Sequence, residues 1–188
     1  MTLLVAGLVL FLGIHLLPVA VPLRNALSSR LGANGYRGAF SLVSLAGLVL
    51  IVVGYRAAGP GERLFAPWPA AIAVAPYAVA LSFVLFAAAN MRTHIRKTLQ
   101  HPMLLGVLIW SGVHLLANGD TRGTVLFGAF VAWGLVDLAS AVSRHAVKTF
   151  EPTARQDVIA IVAGIVLAII VISFHRMLFG VAVVSFGV

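Results

Sequence analysis

Cysteine is absent from this sequence and acidic residues are few, with five Asp and Glu among 188 residues. Without thiols there is no disulfide, no thiolate-bound metal and no iron–sulfur cluster. Charge of either sign is scarce at 10%, against roughly 25% in a soluble domain. So few charges cannot cover a water-facing surface, which excludes a soluble fold and any separate soluble domain. No Walker loop, HExxH, GxSxG or paired-carboxylate arrangement occurs, so no hydrolase signature is present. The thirteen Lys and Arg leave a net charge of +8. They lie in short loops between apolar runs, without interleaved aromatics. They read as topology charges facing anionic lipid, not as a nucleic-acid surface.

Hydrophobic residues make up 61% of the chain, and the mean hydropathy is +1.07. A membrane-spanning helix needs about 20 predominantly apolar residues. Six runs meet that need: Thr2–Val21, Ala39–Tyr55, Pro69–Ala89, Pro102–Asn118, Thr121–Val142 and Asp157–Phe174. A last apolar piece, Met177–Val188, is too short to span. The first run lacks a basic leader and a small-residue cleavage site, so it reads as a retained helix. Backbone polar groups in lipid must bond within the chain, and strand-like alternation is missing. The expectation is an all-α polytopic transmembrane bundle of about six helices, one integral membrane domain over residues 1–188.

The punctuation agrees with this reading. Pro22 follows the first run, Asn34-Gly35 signals a turn, and Ala57–Glu62 breaks the chain after the second run. Pro102 suits a first helical turn, Asn118-Gly119 a stop, Thr121 a start, and Thr153 with Gln156 a capping box. Arg24, Arg30, Arg37, Arg92, Arg96, Lys97, Arg144, Lys148 and Arg155 fall in alternate loops, against Arg56, Arg63, Arg122 and Arg176 on the other side. That asymmetry predicts the richer loops in the cytoplasm and the N-terminus outside.

Six histidines carry most of the available chemistry. His15 falls about 20 Å into the first run and His114 about 18 Å into the fourth. In a core of ~30 Å, both belong well inside the hydrocarbon. Intramembrane ionisable residues are costly and mark function. Two neutral imidazoles at similar depth suit the axial positions of a haem iron. Mutual or backbone hydrogen bonding and a proton pathway account for the same spacing. Pro18 loosens the first helix beside His15 by removing a backbone N–H. His94, His101 and His145 belong to the cytoplasmic rim, and His175 to the outer end of the sixth run. His101, near Arg92 and Arg96 at the start of the fourth run, reads as a helix cap. Asp137, the one acid deep in an apolar run, reads as a partner of Arg24 or Arg92, or as an orienting group for a histidine ring.

The segments Gly13–Pro18 (GIHLLP), Gly35–Tyr55 and His101–Asp120 (HPMLLGVLIWSGVHLLANGD) together resemble the NnrU family. These bacterial membrane proteins are associated with nitric oxide and nitrite metabolism in denitrifiers. The resemblance covers most of the chain and implies the bacterial inner membrane, with a nitrite or nitric oxide reductase system as partner. A more distant resemblance is to the plant 15-cis-zeta-carotene isomerase, a membrane protein that uses haem b. It rests on the helix-1 histidine and on His101-Pro102 followed by His114. It implies haem b held by His15 and His114, with His101 and Arg92 near the cofactor. The isomerase resemblance implies cis-trans isomerisation of a polyene lipid, and the NnrU resemblance implies gas sensing, electron transfer or help in assembling a reductase. The isomerase pattern has a cysteine one turn before the second histidine; here that position is Ser111. A cofactor-free transporter or assembly factor is the alternative outside these classes.

Overall fold

The computed structural model describes residues 1–147, 149–181 and 183. Seven helices form among them: α1 Thr2–His15, α2 Val21–Ala58, α3 Pro69–Ala89, α4 His94–Leu99, α5 Pro102–Asn118, α6 Thr121–Ser143 and α7 Ala154–Phe179. The only β pairing among the described residues is an isolated bridge between Arg63 and Asp120. Four helices, α2, α3, α6 and α7, are long and apolar enough to cross a membrane. With 14 and 17 residues, α1 and α5 reach only about 21 and 26 Å. Large apolar side chains face outward along most helices: Leu42 is 70% exposed, Val9 67% and Val158 61%. In water such a surface would aggregate; here it is the face a membrane protein offers to lipid.

The chain falls into two compact units, Met1–Gly61 and Glu62–Val188. In the first, α1 packs on α2 with their backbones in contact. A methyl group on Gly7 would lie 2.6 Å from the Ile51 amide nitrogen, and one on Gly47 2.8 Å from that of Phe11. A methyl on Gly54 would strike the Leu4 backbone. Small residues are what let membrane helices approach this closely, where lipid removes the hydrophobic drive for association.

Two boundaries in this unit differ from the sequence reading. The first run does not continue to Val21; α1 stops at His15. Pro18 has no N–H for the Ile14 carbonyl, which takes the Leu17 N–H instead at 3.2 Å. The chain tightens into turns and restarts at Val21, with Pro22 in the first turn of α2. His15 therefore lies in the last turn of a short helix and not in the middle of a span. Likewise, Asn34-Gly35 lies within helix, and the break falls at Gly32, where φ is +71° and ψ 165°. Only a residue without Cβ adopts that conformation cheaply.

In the second unit α3 is central, with α5 and α7 packed on it. A methyl on Gly164 of α7 would collide with the backbone of Val84, and one on Gly106 of α5 would come 2.6 Å from the Phe86 ring. Ala160 and Ala168, one turn to either side of Gly164, are 0% and 1% exposed. Against α5 lies α6, where the Trp110 ring meets Phe127 and Phe130, both at 5.3 Å. The segment before α3 is strapped to the α5–α6 turn. Leu64 and Trp68 donate to the Gly119 and Leu116 carbonyls at 2.8 and 2.9 Å, and Thr121 N–H donates to Glu62 at 2.9 Å. Gly119 makes the turn at φ +75°. As the sequence reading expected, α6 starts at Thr121, capped by Asp120, whose carboxylate accepts the Gly123 N–H at 2.6 Å.

Further differences concern the polar ends. A short helix, α4, occupies what reads in sequence as a loop. Thr153 precedes α7 but makes no side-chain cap, and Gln156 accepts the Arg92 N–H rather than that of Thr153. The sequence run Met177–Val188 begins within α7; Ala182 and Val184–Val188 lie outside the described residues, as does Lys148. Gly164→Val is expected to lower stability by about 1–3 kcal/mol through overpacking. Gly128→Ala, which meets nothing within 4 Å, should leave it unchanged. Thermal unfolding of the detergent-solubilised protein measures both.

Candidate functional site

His114 stands twelve residues into α5, on a stretch whose neighbours Ser111 and Val113 are buried. Its ring lies 4.8 Å from Phe127 and 5.4 Å from Trp110. Trp110 in turn packs against the apolar cluster of Ala71, Val79 and Val113. The imidazole Nδ1 is 2.7 Å from the Trp110 carbonyl, one helical turn back. A carbonyl only accepts, so Nδ1 carries the proton. The neutral ring then holds its lone pair on Nε2.

His15 repeats this arrangement within the first unit. Its Nδ1 donates to the Phe11 carbonyl at 2.6 Å, again four residues back. Phe11 and Phe40 flank the ring with centroids at 4.3 and 5.0 Å. Both histidines thus have the same tautomer, fixed by their own helix, and aromatic walls. A neutral imidazole anchored through Nδ1–H and presenting Nε2 is the form that ligates a metal. Among the described residues no three His, Asp or Glu side chains cluster together, so each histidine would act singly.

Of the rim residues, His101 departs from its reading as a helix cap. His101 occupies the N-cap position of α5 but makes no capping bond through its side chain. Its Nε2 is buried and without a hydrogen-bond partner among the described residues. Arg92 and His101 flank α4 on its two sides, so α4 separates them in the chain. Arg92 is bound through its backbone: its N–H donates to Gln156, and its carbonyl accepts from Thr153 N–H at 3.0 Å. Its side chain is exposed. Asp137 lies half-buried on α6. Ser111 is fully buried, its hydroxyl turned onto the Val107 carbonyl at 2.7 Å. His175, at the far end of α7, donates through Nδ1 to the Val181 carbonyl at 2.6 Å.

One polar junction has no clear mark in the sequence. Asp157 accepts from the His94 backbone N–H at 2.7 Å and lies 2.5 Å from the His94 ring Nδ1. Thr93, 0% exposed, caps α4 by accepting the Arg96 N–H at 3.0 Å. Together with the Arg92–Gln156 and Thr153–Arg92 bonds, these contacts hold α4 on the start of α7. The partners are 63 positions apart in sequence, so only the Thr93 cap, three residues before Arg96, was legible locally.

The fold and these sites define a helical membrane protein with singly placed, backbone-anchored histidines in its apolar helices. A family model described as NnrU protein matches residues 3–183, and the chain belongs to the NnrU family. No curated protein and no solved structure matches it significantly.

The junction at α4 yields a direct test. Asp157→Ala should speed hydrogen exchange of the His94 amide without changing helix content by circular dichroism. An unaltered exchange rate would show that α4 is held by other means.

Proposed function

We propose that this NnrU-family protein binds haem b through His15 and His114 and supports nitric oxide and nitrite metabolism. The observation that carries the reading is the repeated geometry of the two histidines. Each donates Nδ1–H to the carbonyl four residues back, which assigns the lone pair to Nε2. The family membership and the position of both residues in apolar helices support it further. Bound haem b would supply an iron that takes up one electron and binds small gases.

The remaining work belongs to the chain. The Phe11 and Trp110 carbonyls hold the imidazole protons, fix the ring orientation and raise the basicity of Nε2. Phe40, Phe127 and Trp110 keep water from the rings. Arg92, exposed at the rim, is the proposed partner of a propionate. Ser111 stands where the isomerase pattern has its cysteine. Its buried hydroxyl offers no thiolate, which favours a redox or gas-binding role over isomerisation by that route. The charge asymmetry of the loops supports a bacterial cytoplasmic membrane location with the arginine-rich loops inside.

Visible spectroscopy of the full-length protein, expressed with haem supplied, tests the reading. A six-coordinate low-spin spectrum is expected, perturbed by nitric oxide. His114→Ala and His15→Ala should each abolish that spectrum, while His94→Ala at the exposed rim retains it. A colourless protein, or the same spectrum in both helix variants, would refute haem ligation by these residues.

A further inference from the structure

A cavity of about 420 Å³ opens where α3 ends and α5 begins, closed on one side by α4 and on another by Ala146, Val147, Thr149, Phe150 and Glu151. Its polar wall is made of Arg96, Lys97, Gln100 and His101. Its apolar wall includes Ala89, Met103 and Val147. The cationic groups are positioned. The Arg96 guanidinium lies over the Phe150 ring at 5.0 Å and donates to the Met91 carbonyl at 3.3 Å. Gln100 turns the chain at φ +61°, bringing its own side chain and His101 to the same wall. The one acid among the described lining residues is Glu151, whose side chain is 94% exposed and 3.9 Å from Lys97. The His101 Nε2 completes the set as a buried nitrogen without a partner among the described residues.

Depth decides what this cavity meets. Ala89 is the last residue of α3 and Pro102 the first of α5. The cavity therefore sits where two apolar helices leave the hydrocarbon, at the level of lipid headgroups. We propose that it binds the phosphate of an anionic phospholipid. Arg96 and Lys97 neutralise the phosphate, Gln100 and His101 donate to its oxygens, and the apolar wall lies along the glycerol and upper acyl chain. A volume of this size holds several times more than the ~30 Å³ of one water, enough for a glycerophosphate group. Basic pockets between membrane helices are suited to such headgroups.

The test uses the full-length protein in mild detergent, with phosphatidylglycerol, phosphatidylcholine or inorganic phosphate added. Retained lipid is read by native mass spectrometry and stability by thermal unfolding. Phosphatidylglycerol should be retained at one per chain and should raise the unfolding temperature, with the other two additions having little effect. Arg96→Gln with Lys97→Gln should weaken retention by about fivefold for each cation removed. Lys97→Gln alone keeps the test decisive if loss of Arg96 from Phe150 prevents folding, since Lys97 is 56% exposed. Arg30→Gln, at an exposed site in the first unit, should retain the lipid as the parent does. Equal retention by parent and Lys97→Gln, or equal loss in Arg30→Gln, would overturn the site. Equal stabilisation by inorganic phosphate would overturn its assignment to lipid.

Discussion

In hydrocarbon a polar hydrogen has no water to bond, and it must find its acceptor within the chain. Five polar side chains on the apolar helices meet that constraint in the same way. Ser82, Ser111, His114 and His15 each donate to the carbonyl four residues back, on Ala78, Val107, Trp110 and Phe11. Asn118 does the same with the His114 carbonyl at 2.7 Å. For serine this only hides a hydroxyl. For histidine it does more, because the bond selects the tautomer and holds the ring. A requirement of solubility in lipid thereby fixes the orientation of two imidazoles by their own helices.

The same constraint relaxes at the helix ends, and the pattern of hydrogen bonds changes there. Bonds now run between elements distant in sequence: Arg92 with Gln156 and Thr153, His94 with Asp157, Glu62 with Thr121, Leu64 with Gly119. Within the apolar layer, by contrast, the helices are joined by shape. Glycines at 7, 47 and 54 bring α1 and α2 together, and Gly164 brings α7 onto α3. The division follows from the medium. Lipid offers no hydrophobic drive for helix association, so close packing must supply it, whereas the rim is polar enough for directed bonds.

The helical class and most of the helix positions could be read from the sequence, because apolar run length is a strong signal when the backbone has no alternative to helix. Pro69–Ala89 and Pro102–Asn118 were correct at both ends, each opened by a proline that suits a first turn. The first run failed because apolarity continues past Pro18 while the helix does not. Composition and backbone geometry part company there, and a depth counted along the run overstated how deeply His15 lies within its helix. The turn expected at Asn34-Gly35 failed because local turn preference yields to a helix already restarted after Gly32. The Thr153–Gln156 capping box failed because a tertiary donor, the Arg92 N–H, took the Gln156 side chain as its acceptor.

What the sequence determined alone was the solvent. Too few charges to face water and apolar runs of spanning length commit the chain to helices in lipid. The same pattern identified His15 and His114 as the residues out of place there. Which nitrogen of each ring carries the proton needed the helix itself, since that depends on the position of a carbonyl one turn away. The cationic cavity beside α4 and the Asp157–His94 junction were decided by tertiary structure. They unite residues tens of positions apart, and linear order carries no information on which polar groups meet once the helices have packed.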